Sequence, residues 1–273
     1  MGRPTIFGIL NITEDSFSDG GRNLDSATAI AAAHRLAADG ADVVDLGAAA
    51  SNIAAKSVAP EDEIRRLAPV VAALKEADIA ISVDSFALET QRDALSAGVD
   101  FLNDIEGFAD PVFYPELAAA TCRLVVMHAV HDRGRAQMIP VPAVEIWPRI
   151  EDFFGRRIET LKTAGIARER LILDPGMGFF LGSDADASFR VLAGLDRLKR
   201  GFGLPVLVSV SRKSFLGAPT GQRDPMLRGA ATLAAELFAA AKGADYIRTH
   251  DPGALRDGLL VMAALNRAEK AIE

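Results

Sequence analysis

Polar side chains able to bind ligands follow the short apolar segments of this sequence. Ser211, Arg212 and Lys213 come directly after the nearly continuous apolar run Val206–Val210. Such a run is typical of a parallel strand buried on both faces, and the carboxyl ends of parallel strands carry the active sites of α/β proteins. Comparable groups follow the other apolar runs: Asn11, Asp84, Asn103, His128, Asp174, Arg248 and His250.

The residue types in this set suit a small polar ligand. Two carboxylates, an amide and an ammonium form a first group: Asp84, Asn103, Asp174 and Lys213. Together they would bind a planar heterocycle that has both donors and acceptors, such as a 2-amino-4-oxo-pyrimidine ring. Arg248 and His250, with Asn11, would form a separate oxyanion site suited to phosphate. Taken singly, each Asp or Asn could equally cap a helix or a turn, and Asn11 could ligate Mg²⁺ or donate to a phosphate.

Other chemistries have weaker support in the sequence. His128 and His131 have no Glu that completes a zinc motif, so a loop role is favoured for this pair. Ser211 lies close to Lys213, but no nucleophile elbow surrounds it. Lys213 could form a Schiff base in a barrel, although we expect Asp174 to keep it charged.

Apolar runs and helical patterns alternate eight times along the chain, which predicts a single (β/α)8 TIM barrel over residues 1–273. The predicted strands are Thr5–Leu10, Asp42–Leu46, Ile79–Val83, Phe101–Leu102, Leu124–Met127, Leu171–Leu173, Val206–Val210 and Tyr246–Ile247. The predicted helices are Asp25–Ala38, Pro60–Lys75, Leu88–Ala97, Pro111–Ala120, Pro142–Ala164, Asp184–Lys199, Met226–Ala241 and Pro252–Ala271. An open doubly wound sheet is the alternative, but the glycine-rich dinucleotide turn that it usually carries after its first strand is missing from the sequence.

Composition narrows the class of protein further. The 273 residues have a net charge of −7, which argues against general nucleic-acid binding. The sequence contains no apolar run of about 18 residues, the length that a membrane helix needs. The one cysteine, Cys122, excludes an internal disulfide and is predicted to be buried near a strand. We therefore expect a cytoplasmic enzyme that acts on small molecules.

Six segments together resemble the dihydropteroate synthase family. They are FGILNITEDSFSDGG, SVDSF, LNDIEGF, LILDPGMGFF, VSVSRKSFLG and IRTHDPG, spread in the family's order from residue 7 to residue 253. The resemblance implies an often dimeric barrel of folate biosynthesis. Such enzymes join 6-hydroxymethyl-7,8-dihydropterin diphosphate to 4-aminobenzoate and release diphosphate in the presence of Mg²⁺.

The resemblance also implies roles for individual residues. The implied pterin pocket is Asp84, Asn103, Asp174 and Lys213. The implied diphosphate site is Asn11, Arg248 and His250, with Asn11 as the magnesium ligand. The implied neighbours of the aminobenzoate are Met127, Phe179 and Ser211, with Ser51 at a threonine position of the family's second loop. The residues expected to act in catalysis are Asp84, Asp174, Lys213, Arg248 and His250.

Three segments depart from the family pattern. In the first motif, Glu14 occupies a position where the family usually has proline. The loop after the second strand reads GAAASNIAAK where the family usually has Gly-Glu-Ser-Thr-Arg-Pro-Gly, and Asn52 occupies the arginine position. Phe179 and Phe180 follow DPGMG where the family usually has Gly-Lys. These features resemble the divergent, sulfonamide-insensitive branch, in which either phenylalanine could crowd a sulfonyl group. A pterin-binding methyltransferase barrel and a pterin-binding module without turnover are the alternatives.

Overall fold

The computed structural model describes residues 2–12, 26–49, 58–131, 134–221 and 224–272. Ser51 and Asn52 lie outside the described residues, as does the polar segment 13–25 that follows the first strand. The predictions that concern these positions therefore stay predictions.

Eight parallel strands form the centre of the molecule. They are β1 (Thr5–Asn11), β2 (Val43–Gly47), β3 (Ala80–Asp84), β4 (Phe101–Asp104), β5 (Arg123–Met127), β6 (Leu171–Asp174), β7 (Leu207–Val208) and β8 (Tyr246–Thr249). Their order in the sheet is β6-β5-β4-β3-β2-β1-β8-β7, and an isolated parallel bridge between Leu173 and Val206 links β6 to β7. This nearly closed ring with helices between its strands confirms the predicted barrel.

Helices cover the outside of the ring. They are α1 (Ser26–Ala38), α2 (Pro60–Glu76), α3 (Leu88–Ala97), α4 (Tyr114–Ala119), α5 (Ile146–Thr163), α6 (Ala185–Ala193), α7 (Asp196–Phe202), α8 (Gly217–Thr220), α9 (Gly229–Ala241) and α10 (Pro252–Lys270). Local sequence signals start several of them. Asp184 accepts a hydrogen bond from the Asp186 amide at the start of α6, and Asp251 accepts one from the Ala254 amide in α10.

The barrel interior is apolar at one end and polar at the other. Phe7, Phe101 and Tyr246 meet edge to face, with ring centroids 5.0 Å, 5.6 Å and 6.3 Å apart. Because strand side chains alternate between faces, the next inward position on each strand lies two residues further on. On β4 and β8 that position holds Asn103 and Arg248. The aromatic layer therefore supports a polar layer at the carboxyl ends of the strands.

The structure corrects several of the predicted boundaries. The helix predicted over Asp184–Lys199 is two helices, α6 and α7, and they separate at Gly194. Gly194 packs on Trp147, where a Cβ atom would lie 2.8 Å from the ring. The strand predicted over Val206–Val210 is shorter, and the short helix α8 follows it. Cys122 is buried as predicted. No helix in the described part of the chain is long and apolar enough to cross a membrane.

Candidate active site

A cavity of about 550 Å³ opens at the carboxyl ends of the strands. This volume lies in the range of sites that hold small molecules. Seven of the sequence-predicted site residues line it: Asn11, Asp84, Phe179, Ser211, Lys213, Arg248 and His250. The structure thus brings together groups that are up to 239 positions apart in the sequence (11 to 250).

Three other predicted site residues lie behind the cavity wall. Asn103, Met127 and Asp174 are only 4%, 6% and 3% exposed, and they are not among the lining residues. Strand pairing still places them at the same end of the barrel, because Asn103 is the register partner of Asp84 and Met127 is the partner of Asp174. Asn103 Oδ1 has no hydrogen-bond partner among the described residues. A ligand that reached Asn103 could donate a hydrogen bond to this oxygen.

Arg248 joins the two groups that we expected to be separate. Its Nε donates to Asp45 Oδ2 at 2.5 Å, and its Nη2 donates to Asp84 Oδ2 at 2.6 Å. Burial on its own lowers the pKa of Arg248, but the two carboxylates outweigh burial and raise it above the usual arginine value. The predicted oxyanion group is therefore connected to the predicted heterocycle group through this ion pair.

The remaining charged groups are shifted by burial. Burial raises the pKa of Asp84, and the Arg248 charge opposes that rise. Burial raises the pKa of Asp174 to about 6, although the Gly176 amide and Lys213 oppose it. Burial lowers the pKa of Lys213 to about 8, and Asp174 opposes that fall. Asp174 therefore helps to keep Lys213 protonated at neutral pH, as predicted from the sequence.

The turn after β7 fixes the position of Lys213. Arg212 has a φ of 59°, and its amide donates to Thr232 Oγ1 at 3.0 Å, while its carbonyl accepts from Arg228 Nη1 at 2.7 Å. Lys213 Nζ then lies 5.0 Å from the centroid of the Phe180 ring, at a distance typical of a cation–π contact. The Lys213 ammonium therefore has the Phe180 ring on one side.

His250 and Ser211 form a hydrogen-bonded pair at the mouth. The Ser211 hydroxyl accepts from the His250 amide at 3.2 Å and lies 2.9 Å from His250 Nδ1. Burial, together with the charges of Arg212 and Arg248, lowers the pKa of His250 to about 3. His250 is therefore neutral, and it offers a hydrogen bond to an anion rather than a charge.

The turn after β6 is held by His128, a residue for which the sequence indicated only a loop role. His128 Nδ1 lies 3.0 Å from the Pro175 carbonyl, and the Gly176 amide donates to Asp174 Oδ1 at 2.8 Å. Gly176 has a φ of 72°, and a Cβ atom there would lie 2.4 Å from the His128 carbonyl. The turn therefore requires glycine, and it fixes the orientation of the Asp174 carboxylate.

Comparison with known proteins agrees with this geometry. A family model described as pterin binding enzyme matches residues 7–250. The chain is 58% identical to dihydropteroate synthase type-2 of Escherichia coli over 265 residues, which cover 97% of both chains. It is 52% identical to dihydropteroate synthase type-1 of Mycolicibacterium fortuitum over 94% of this chain and 91% of the relative. The chain belongs to the dihydropteroate synthase family.

Solved structures of dihydropteroate synthases share the barrel. The Xanthomonas albilineans dihydropteroate synthase with 4-aminobenzoic acid superposes with a TM-score of 0.88 at 36% identity, covering 97% of this chain and 93% of that one. The same enzyme in complex with 7,8-dihydropteroate gives a TM-score of 0.83 at 35% identity, with coverages of 97% and 94%. The family prediction made from the six motifs is confirmed.

Asp45 lies near the end of the second predicted strand, but the motif reasoning gave it no role in the site. It lies within the apolar strand sequence VVDLG, and it is fully buried. A charge inside a parallel strand has to be paired, because an unpaired buried carboxylate is strongly unfavourable. This signal was present in the sequence, but it did not reveal that Arg248, 203 positions away, is the partner.

Proposed function

We propose that this dihydropteroate synthase binds its pterin diphosphate and 4-aminobenzoate substrates in the cavity at the carboxyl ends of the strands. The proposal rests on one observation. Asp84, Lys213, Arg248 and Phe179 line the same cavity. The polar groups suit the pterin ring and the diphosphate, and the phenylalanine offers a flat apolar surface to an aromatic acid. Behind the wall, Asn103 and Asp174 would complete the pterin contacts.

The proposed reaction begins with the C–O bond between the pterin methylene and diphosphate. This bond breaks, and its electron pair leaves with the diphosphate, so that the methylene becomes a cation stabilised by the pterin ring. The amine of 4-aminobenzoate attacks this carbon, and the proton that the nitrogen then loses passes to water. Asp84 and Asp174 would favour the cation electrostatically in a site arranged before the reaction. Lys213 would hold the ring, and Arg248 would attract the leaving diphosphate.

His250 would act on the diphosphate as a neutral donor. The Ser211 hydroxyl accepts from the His250 amide, so its own proton is available to donate to Nδ1. That arrangement leaves the ring proton on Nε2, from which it can be donated to an anion. We infer that Ser211 acts mainly on His250, and that its proposed contact with the aminobenzoate is secondary.

Asn11 fits the proposed role of magnesium ligand. It is exposed at the carboxyl end of β1 and lines the cavity. It faces Gly47, where a Cβ atom would lie 3.6 Å from Asn11 Oδ1. Mg²⁺ prefers oxygen ligands and is often held by one or two protein oxygens plus substrate phosphates. When bound, the ion would neutralise charge on the diphosphate. Asn11→Ala should therefore raise the magnesium concentration needed for half-maximal activity.

Sulfonamide insensitivity is proposed from Phe179 and Phe180, whose rings form an aromatic wall of the cavity. Phe179 and Phe180 lie on a 3-10 turn, Gly178–Leu181, and both line the cavity. A sulfonyl group is tetrahedral and needs more room than a planar carboxylate, so rings at this wall would exclude the drug more than the substrate. Phe179→Ala and Phe180→Ala should lower the sulfamethoxazole inhibition constant more than the Michaelis constant for aminobenzoate. A wild-type inhibition constant close to that Michaelis constant would contradict the proposal.

A homodimer is proposed from the surface of α10. Leu260, Val261 and Leu265 are each more than half exposed, and Phe238 is exposed on α9, which packs against α10. Exposed apolar residues grouped on adjacent helices are typical of protein interfaces. Sedimentation should give a dimer mass for the wild type and a monomer mass for Leu265→Glu.

The predicted cytoplasmic location is likewise a proposal, which fractionation of the native cells would test.

The test of the synthase activity is diphosphate release by the purified protein with pterin diphosphate, Mg²⁺ and aminobenzoate. We expect release that depends on aminobenzoate. Pterin binding without release would instead support a module that has lost turnover. Transfer of a methyl group in place of diphosphate release would support the methyltransferase alternative.

A further inference from the structure

Arg248 has two carboxylate partners that differ in their access to the cavity. The Asp45 side chain is 0% exposed and does not line the cavity, whereas the Asp84 side chain is 15% exposed and lines it. The two hydrogen bonds are almost equally short, at 2.5 Å and 2.6 Å. The geometry therefore separates a partner that a substrate cannot reach from one that it can.

Asp45 is held in place by the barrel. It is the register partner of Ile9 on β1 and of Ser82 on β3, so it lies between two strands in the barrel interior. Its Oδ1 and the Ser82 hydroxyl have no hydrogen-bond partner among the described residues. Arg248 is the cation that its other oxygen, Oδ2, contacts. Asp45 can therefore serve as a permanent counter-ion for Arg248.

Asp84 is shared between two partners in the proposed complex. Its Oδ2 accepts from Arg248 Nη2 at 2.6 Å. The proposed function, on which this inference rests, requires the same carboxylate to accept from the N–H groups of the pterin. If Asp84 were the only counter-ion, its withdrawal would leave a buried guanidinium without a carboxylate, and such an unpaired charge is strongly unfavourable.

We propose that Asp45 is a positioning residue that acts through Arg248. As the fixed counter-ion, it keeps Arg248 neutralised while Asp84 exchanges from Arg248 to the incoming pterin. Asp45 touches neither substrate. When the diphosphate is also bound, its negative charge supplies Arg248 with a second partner, and the exchange becomes complete.

The test is a thermodynamic coupling measured by titration calorimetry. The probes are 6-hydroxymethylpterin and inorganic diphosphate with Mg²⁺, each titrated alone and in the presence of the other. The proteins are the wild type, Asp45→Asn and the matched control Ser82→Ala, which removes an equally buried polar group from the neighbouring strand. Asparagine keeps the shape of Asp45 and an oxygen for Arg248 Nε, but it removes the charge.

We expect Asp45→Asn to weaken the binding of 6-hydroxymethylpterin alone by about tenfold or more, because Arg248 then retains Asp84. Added diphosphate should restore most of this loss, so the coupling between the two probes increases by a similar factor in Asp45→Asn. Ser82→Ala should change neither the affinity nor the coupling. A purely structural effect of Asp45→Asn would weaken both probes and leave their coupling unchanged.

A double variant keeps the inference testable if Asp45→Asn folds poorly. Asp45→Asn combined with Arg248→Gln removes both charges, and it should bind 6-hydroxymethylpterin alone better than Asp45→Asn does, because no cation competes for Asp84. Unchanged coupling in Asp45→Asn, or no recovery in the double variant, overturns the role of Asp45 while the synthase assignment stands. A wild type that binds neither probe overturns the proposed site and this inference together.

Discussion

His128 should control pterin affinity through a single hydrogen bond, although it does not line the cavity. Its Nδ1 must carry the proton, because the Pro175 carbonyl 3.0 Å away can only accept. Burial lowers the pKa of His128 to about 4, so the bond is neutral at any pH at which the enzyme would be assayed. The informative changes are His128→Asn, which places an amide nitrogen at the Nδ1 position, and His128→Leu, which removes the donor.

The magnitude follows from the surroundings of that bond. Without a donor, the buried Pro175 carbonyl is left unsatisfied, at a cost of about 1–3 kcal/mol. If relief of that cost rotates the turn and misplaces the Asp174 carboxylate, pterin affinity falls by about 5-fold to 150-fold. His128 also packs edge to face on Phe153, with ring centroids 5.3 Å apart. Asparagine loses this ring contact, whereas leucine keeps most of the side-chain volume.

The two variants should therefore differ in pterin affinity. His128→Asn should retain most of the 6-hydroxymethylpterin affinity in calorimetry, and it should lose free energy of unfolding in urea through the missing ring contact. His128→Leu should lose affinity, and its free energy of unfolding should fall by about 1–3 kcal/mol through the unsatisfied Pro175 carbonyl. His128→Gln is the geometric control, because its amide nitrogen lies one bond further along the side chain. Equal affinity in the asparagine and leucine variants would refute the reasoning, since it would show that the donor to Pro175 has no effect on Asp174.

Three further predictions concern other buried ionisable groups. Asp174→Asn replaces an acceptor by a donor that faces ring N–H groups, so steady-state assays should show a loss of at least about a hundredfold in kcat/KM. The wild-type kcat/KM should rise through pH 6, as Asp174 ionises, and fall through pH 8, as Lys213 loses its proton; Lys213→Arg should remove the alkaline limb. Glu236 is buried beside Thr249, and burial raises its pKa from 4.5 to about 8. Its contribution to stability is full below pH 4.5 and is lost as the pH rises to about 8, so urea unfolding should show a decline over this range that Glu236→Gln lacks.

The sequence was most informative where local chemistry decides structure. Strands buried on both faces appear in the sequence as short, continuous apolar runs. The polar residue that follows each run has to lie at the carboxyl end of the barrel. This rule placed Asp84, Lys213 and Arg248 correctly around one cavity. The alternation of elements likewise predicted the barrel, because eight such units of this length close on themselves.

The sequence was least informative where a contact joins distant positions. Nothing local shows that Arg248 pairs with Asp45 as well as Asp84, and so the oxyanion group was predicted to be separate. Gly194, at which the helix breaks, packs on the Trp147 ring of another helix, and the role of His128 depends on a carbonyl 47 positions away. Each of these contacts is decided by packing across the barrel, which periodicity and motif spacing do not encode.

The directions of the pKa shifts indicate that the site is built for binding rather than for stability. Burial dominates the shifts of Asp174 and Lys213, and in both cases it disfavours the charged form. For Asp174, a pKa raised from 3.8 to about 6 means that folding loses free energy as the pH rises through this interval. At neutral pH the site therefore holds charges whose burial opposes folding, and partners of opposite charge offset that cost. Arg248 supplies such a partner within the chain, and a pterin with its diphosphate would supply the others, so substrate binding should stabilise the fold.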